Sequence, residues 1–134
     1  MKKQILSILL TLCMLFCLVP TAVLAADEVS AKVNGIAVPA AGGSITGEGI
    51  SGSIIFDASA KTLTLENAAI SVTTEEKAID IRSGIDTLIL KGKNEIKWAD
   101  ESDKKTSICA ISASSSSFLI KGNSREDSLT VTLP

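Results

Sequence analysis

Apolar and polar residues alternate in several short runs between residues 62 and 94. The clearest runs are TLTLEN, KAIDIRS and DTLILKGKN, and each ends in a polar or glycine-containing turn. Successive side chains of a β-strand point to opposite faces, so this alternation predicts strands with one buried face. Beyond the N-terminal segment, no window of ten residues has the period of a helix, and Thr, Ser, Val and Ile dominate. The pattern therefore predicts an all-β fold.

Two hairpins are expected in the part of the chain that leads into these runs. Asn34-Gly35 lies between two short alternating runs, and both residues tolerate the positive φ of a tight hairpin turn. Strands over 53–56 and 62–66 are separated by a five-residue turn, which predicts the second hairpin. Residues 40–52 are rich in Gly, Ser and Ala, and this composition predicts a flexible connection.

Parts of the chain repeat at intervals that predict a solenoid. LILKG at 88–92 matches FLIKG at 118–122 with an offset of 30 residues, Ala78-Ile79 matches Ala110-Ile111 with an offset of 32, and Leu63 leads Leu88 by 25. Units of this length with short strands cannot bury their apolar face alone, so they stack on one another. A β-sandwich is the alternative fold.

Asparagine recurs where the repeated runs end, at Asn67, Asn94 and Asn123. In stacked turns, asparagine side chains can form a ladder by bonding to one another and to the turn backbone. The simpler interpretation is that Asn and Gly mark ordinary turns.

The first 25 residues have the features of a secretory signal peptide. Lys2 and Lys3 precede an apolar stretch over 5–19, and Val23-Leu24-Ala25 is a small-x-small cleavage pattern after Pro20. A retained membrane anchor is the alternative, but the apolar stretch is short for a span of about 20 residues. A lipid anchor is not expected, since Cys17 follows Phe16 within the apolar stretch rather than a small residue at the cleavage point.

Three segments follow from these patterns. They are the signal peptide (1–25), an N-terminal hairpin with its connection (26–52), and a β-helix-like repeat domain (53–134). Removing Lys2 and Lys3 from the 13 basic residues leaves 11 against 15 acidic residues, a net charge of −4. An acidic chain without a basic stripe argues against nucleic-acid binding. Contact with a membrane is expected only through the signal peptide.

Cysteine usage argues against a disulfide scaffold. Cleavage of the leader would leave Cys109 alone, so no internal disulfide can form. Its apolar neighbours, Ile108 and Ile111, predict a small buried side chain. The chain has no histidine to activate a cysteine nucleophile.

The order of the repeated phrases resembles a known family. SGSIIFDASAKTLTLENAAI, a short AI-containing strand and LILKGKNEI are similar to repeats of secreted Gram-positive bacterial proteins described as carbohydrate-binding domain-containing proteins. The similarity covers about residues 52–133. The resemblance implies a short right-handed parallel β-helix, with this chain as a possible truncated member. It also implies that polysaccharide is a possible partner and that calcium is a possible cofactor.

Few residues are candidates for a site. Trp98 is the one tryptophan and could stack on a sugar ring, although a partly buried aromatic at the edge of the core is the simpler explanation. Asp80 is predicted to face outward from its strand. Carboxylates in loops, such as those of the run DESD at 100–103, are also the ligands that calcium prefers. This run lacks the spacing and glycine of a known calcium loop, so a solvated loop is the simpler explanation. The candidate ligand-binding residues are Trp98, Asp80, Asp100 and Asp103, and the candidate metal ligands are Asp100, Glu101 and Asp103.

We expect a non-catalytic protein, because no phosphate loop, metal signature or catalytic triad can be assembled from these residues. The first hypothesis is a secreted carbohydrate-binding module that recognises extracellular or cell-wall polysaccharide. The alternative is a structural or adhesive surface repeat with no ligand of its own. Both place the protein outside the cell or on its surface.

The leader generates the first testable prediction. When the full chain is expressed in a bacterium, we expect the protein in the medium to begin at Ala26, because signal peptidase cleaves after Ala25. Intact-mass measurement of the secreted protein reads this N-terminus directly. Recovery of uncleaved protein in the membrane fraction would instead support the retained anchor.

Overall fold

The computed structural model describes residues 28–73, 76–99 and 107–133, and this part of the chain is all-β. The alternating runs form strands as expected, because each places apolar side chains at every second position. The strands are β1 (Ser30–Val33), β2 (Ile36–Ala37), β3 (Gly43–Ser44), β4 (Ile50–Asp57), β5 (Thr62–Val72), β6 (Lys77–Ser83), β7 (Thr87–Lys91), β8 (Lys93–Trp98), β9 (Cys109–Ala113), β10 (Leu119–Gly122) and β11 (Ser128–Thr132).

Over the described part of the chain, the strands form two sheets that mix parallel and antiparallel pairs, and neither sheet closes. The first has the order β2-β1-β6-β9. The second has the order β10-β7-β5-β4-β3, and β8 joins it by pairing with both β5 and β11. Over the described ranges, no helix is long and apolar enough to span a membrane.

Both predicted hairpins are present. Asn34 and Gly35 have φ angles of 48° and 77° and connect the antiparallel strands β1 and β2. The second hairpin pairs β4 with β5 across a turn that begins at Asp57. The Ser59 hydroxyl and the backbone N–H groups of Ala60 and Ser59 donate hydrogen bonds to the Asp57 carboxylate, so its pKa lies below its ordinary value.

The expected flexible connection is partly built into the second sheet. Gly43 and Ser44 pair with Phe56 and Ile55, and Ile45 is buried. Strand β4 already begins at Ile50. Composition alone did not predict that this segment is ordered, because its packing comes from the pairing of β3 with residues 55–56, near the C-terminal end of β4.

Parallel pairs arrange the second half of the chain in three stacks. Residues 62–66 of β5, then β7 and β10, form the first stack. Residues 69–72 of β5, then β8 and β11, form the second stack, and β6 with β9 forms the third. Consecutive strands of the chain therefore pass from one stack to the next, and each stack receives its next strand after 25–35 residues.

Apolar side chains align along these stacks and form the core. The column Leu63–Leu88–Ile120 lies in the first stack, Ile70–Ile96–Val131 in the second, and Ile79–Ile111 in the third. The antiparallel strands add Phe56 next to Leu63, Ile50 next to Ile70 and Val33 next to Ile79. Among the described residues, the buried hydrophobic ones all lie between Ala31 and Ile96.

The registers confirm two of the three expected offsets. Leu63 pairs with Leu88, an offset of 25, and Ile79 pairs with Ile111, an offset of 32. The offset of 30 was wrong, since Leu88 lies opposite Ile120. A shift of two residues keeps the apolar side chains of a strand on the inward face. The similarity of the LILKG and FLIKG sequences therefore could not distinguish an offset of 30 from the observed offset of 32. Leu119 lies opposite Thr87 and is exposed.

Asn94 joins three successive strands at the corner between the first and second stacks. Its side chain is buried, with 2% of its surface exposed. The Ala68 backbone N–H donates to Asn94 Oδ1 at 2.9 Å. Asn94 Nδ2 donates to the carbonyl oxygens of Lys91 at 3.2 Å, Ser128 at 3.3 Å and Gly92 at 3.4 Å. One side chain therefore satisfies backbone groups before β8, in β5 and in β11.

The asparagines do not form a ladder with one another. Asn67 has a φ of 46° at the bend of β5, and its Oδ1 accepts a hydrogen bond from the Lys93 backbone N–H. Gly92 must lack a side chain here, because an added Cβ would clash with Asn67 Oδ1. In the column of Asn94 the neighbouring positions are Ala68 and Leu129, so no asparagine is available to extend a ladder.

Asp127 takes the corresponding role at the last corner. Its carboxylate accepts hydrogen bonds from the backbone N–H groups of Gly92, Ser124 and Asn123, each at 2.7 Å. These bonds stabilise the charged form, so the pKa of Asp127 lies below its ordinary value of 3.8. The turn before β11 is thereby fixed to the turn before β8.

Replacing Asn94 tests the importance of the corner. We expect Asn94→Ala to lower the free energy of unfolding by about 2–3 kcal/mol, because it leaves buried backbone groups without partners. Urea unfolding measures the change. Asn123→Ala is the matched control, since Asn123 is exposed, and we expect it to cost less than about 0.5 kcal/mol. Equal losses in both variants would contradict this account.

Asp127 predicts a pH dependence of stability. Its folded pKa is depressed, so its contribution is complete above 3.8 and is lost as the pH falls through the lower folded pKa. We expect Asp127→Ala to lower the Tm at pH 6 and to have a much smaller effect at pH 2. Glu126→Ala serves as the control for loss of a neighbouring carboxylate. A Tm difference that is the same at both pH values would refute the prediction.

Candidate functional site

The most distinctive polar site lies on the outward face of the first sheet around Asp80. Asp80 is in the middle of β6, directly opposite Lys32 of β1 on one side and Ser112 of β9 on the other. Alternation along β6 turns its neighbours Ile79 and Ile81 into the core, so Asp80 faces outward as the sequence predicted. A cation, a carboxylate and a hydroxyl thus lie in one row across three strands.

Two cations contact the Asp80 carboxylate. Lys77 Nζ lies 3.3 Å from Oδ1, and Arg82 Nε lies 3.5 Å from Oδ2. Arg82 lies at a β-bulge, because Ala31 pairs with Ile81 while Ser30 pairs with Ser83. A bulge leaves one residue unpaired and redirects its side chain. Asp80 is therefore held by its neighbours while Arg82 remains largely exposed.

A small cleft lies between β1 and β6 at this position. We call it the Asp80 cleft; its volume is about 120 Å³, and it is lined by Ser30, Ala31, Lys32, Asp80 and Arg82. The lining carries two cations and one carboxylate. Its volume is below the roughly 300–1,000 Å³ of pockets that enclose a drug-sized ligand. The Asp80 cleft can hold a small polar or anionic group of a larger molecule that extends along the surface.

A second, more open cleft lies on the outward face of β4, β5 and β8. Its volume is about 340 Å³, and its lining residues are Gly49, Ile50, Ser51, Ala69, Ser71 and Lys97. Serine hydroxyls and one lysine supply its polar groups. The Ser71 carbonyl already accepts a hydrogen bond from Asn34 Nδ2 at 3.3 Å, so the N-terminal hairpin helps to position the rim.

Trp98 and Asp80 lie on strands of different sheets. Trp98 is at the end of β8 opposite Val72, and it is partly buried against the hydrophobic core. It lines neither of the two clefts, whereas the preceding Lys97 lines the second. Asp80 belongs to the other sheet.

The acidic candidates lie outside the described residues. Asp100, Glu101 and Asp103, which were predicted as calcium ligands and as part of a binding loop, fall between 100 and 106. Within residues 28–73, 76–99 and 107–133, no group of three His, Cys, Asp or Glu side chains could hold a metal ion. Their role as metal ligands therefore stays a prediction.

The sequence patterns did not identify Lys32 and Arg82 as site residues, and the prediction of a buried Cys109 was wrong. Only the pairing of β1 with β6 places Lys32 opposite Asp80, and the two residues are 48 positions apart. The sequence feature that could have identified these residues is alternation, which places Lys32, Asp80 and Arg82 at outward-facing positions of their strands. Cys109 is exposed rather than buried, because β9 pairs with β6 alone among the described strands.

Comparison of the chain with protein-family models, curated proteins and solved structures found no match. The resemblance described above therefore remains an expectation, and function must be argued from the clefts and the strand arrangement.

Proposed function

We propose that the three stacks form a short right-handed parallel β-helix. The regular parallel registers support this architecture over a β-sandwich, because each stack takes its next strand in chain order. Connections between parallel strands of one sheet are right-handed in nearly all proteins, which supports the proposed handedness. In this architecture the outward faces of neighbouring turns form continuous flat surfaces.

We also propose that the chain is a secreted, non-catalytic carbohydrate-binding module that acts on extracellular or cell-wall polysaccharide. The observation that carries this proposal is the Asp80 cleft, where Lys32, Asp80 and Arg82 offer donors and acceptors on an outward β surface. The excess of positive charge in its lining favours polymers that contain acidic sugars.

The chemistry of the cleft fits such a polymer. Arg82 and Lys32 can donate charge-assisted hydrogen bonds to a sugar carboxylate, which are stronger than bonds between neutral groups. Asp80 can accept hydrogen bonds from sugar hydroxyls while Lys77 and Arg82 hold it in place. The shallow cleft suits one sugar unit of an extended chain, and affinity then depends on repeated contacts along the polymer.

Calcium could contribute through the Asp100, Glu101 and Asp103 run, since carboxylate oxygens bind this ion. Binding that requires calcium would assign these residues a role, and calcium-independent binding would assign recognition to the Asp80 cleft alone.

A structural or adhesive surface repeat is the second candidate function. The specific observation in its favour is that the inward columns continue to Ile120 and Val131, both exposed, as they would beneath a further turn. Such a protein would need no ligand, and it would bind no polymer in the assay below.

Retention on immobilised polysaccharides tests carbohydrate binding. We expect the secreted protein to bind pectin-like or other acidic cell-wall polymers, and Arg82→Ala to weaken binding at least about tenfold, since one charge-assisted hydrogen bond contributes about 1.5–3 kcal/mol. The assay is run with and without calcium. Arg125→Ala is the matched control, because Arg125 is exposed and lies in the turn before β11.

Two results would contradict the proposal. One is failure to bind any polymer at millimolar concentrations of sites. The other is equal weakening by the Arg82 and Arg125 substitutions, which would indicate attraction by net charge rather than a site at the Asp80 cleft.

A further inference from the structure

Three consecutive edge strands lie at one end of the stacks. Strand β9 is the last strand of the first sheet, β10 is an edge of the second, and β11 pairs only with β8 among the described strands. We call these three strands the end edge. Unpaired strand edges readily accept another strand.

Core positions are uncovered at the end edge. Ile120 continues the column of Leu63 and Leu88, which are both fully buried, yet 46% of its own surface is exposed. Val131 continues the column of Ile70 and Ile96 and is 41% exposed. The opposite end differs, because β4 pairs antiparallel with β5 and β1 pairs antiparallel with β6.

From this arrangement we propose that the end edge binds a second copy of this chain in a two-fold symmetric dimer. The end edge is self-complementary about its middle strand. A two-fold axis through β10 pairs β10 with its copy and brings each β9 next to the β11 of the other chain. Strands β9 and β11 each contain five residues, so the exchanged strands match in length. A two-fold contact of this kind is closed and uses the same surface on both chains.

Charge also favours a second copy. Strands β9 and β11, CAISA and SLTVT, contain no charged residue, so neither repels the other. Edge strands in soluble proteins commonly carry lysine or proline to prevent such pairing. In β10 the one charged residue is Lys121, which lies opposite Ile89, whereas Ile120 lies opposite Leu88 in the core column.

Side-chain parity and charge together select the register of β10 against its copy. Opposite residues of an antiparallel pair point to the same face, so parity allows a register in which Ile120 lies opposite Ile120 of the second chain and both point inward. The alternative, centred on Lys121, places two like charges opposite each other and is disfavoured. In the dimer, Ile120 therefore lies on the two-fold axis, and the two uncovered ends form one continuous core. This inference uses only the strand pairings and does not depend on carbohydrate binding.

Sedimentation of the secreted protein from about 1 to about 100 μM tests the dimer. We expect a monomer–dimer equilibrium, and Ile120→Asp should raise Kd at least tenfold, because it places two carboxylates opposite each other. Ile55→Asp is the matched control: Ile55 is 45% exposed, and it lies on β4 at the other end of the stacks. We expect this variant to dimerise as the wild type does.

A covalent test covers the case in which Ile120→Asp fails to fold. Opposite residues of antiparallel strands have Cα atoms about 4.5–5.5 Å apart, within the range of a disulfide. With Cys109→Ser as background, mild oxidation should convert Ile120→Cys to a disulfide-linked dimer and leave Ile55→Cys monomeric on non-reducing gels.

Several results would overturn the proposal. If the wild-type chain stays monomeric up to about 100 μM, the end edge does not bind a second copy. Its partner would then be a further repeat turn or a strand of another protein. Open-ended polymers would indicate a contact without two-fold symmetry. Equal cross-linking of the Ile120→Cys and Ile55→Cys variants would indicate collision rather than a defined register.

Discussion

The fold depends on how the chain turns the corner between its first and second stacks without leaving backbone groups unsatisfied. Asn94 solves this by accepting one hydrogen bond from β5 and donating to the carbonyl groups of Lys91, at the end of β7, and Ser128, at the start of β11. Its partners are all backbone atoms, so the neighbouring positions in its column can be Ala68 and Leu129. The corner therefore keeps its geometry although the repeat sequences differ.

Once the corner is fixed, the apolar columns follow. Each strand leaves the corner with its alternate residues inward, and Leu63, Leu88 and Ile120 align. Strand β6 adds Ile79 and Ile81 to the same core, and β1 pairs with β6. The Asp80 cleft is therefore a consequence of core packing as well as of the polar residues that line it.

Local patterns predicted the strands but not the pairing between distant ones. Alternation identified β5, β6 and β7, and Asn34-Gly35 identified the first hairpin, since both signals depend on neighbouring residues. The predicted register of β10 against β7 was wrong by two residues, because a shift of two leaves the same side chains facing inward. The bulge at Arg82 and the exposure of Cys109 depend on which strands lie alongside, and no local pattern contains that information. The roles of Asp100, Glu101 and Asp103 stay predictions, because these residues lie outside the described part of the chain.

The antiparallel start of the chain has a consequence for how the protein is made. Four residues connect β4 to β5, so this hairpin involves only local contacts and can form before the later strands pair. The free edge of β5 in this hairpin is then available for pairing with β7 and β8. Each completed turn in the same way provides a free edge for the strands of the following turn. Folding in this order follows the order of the strands along the chain, and among the described strands β9, β10 and β11 keep an open side.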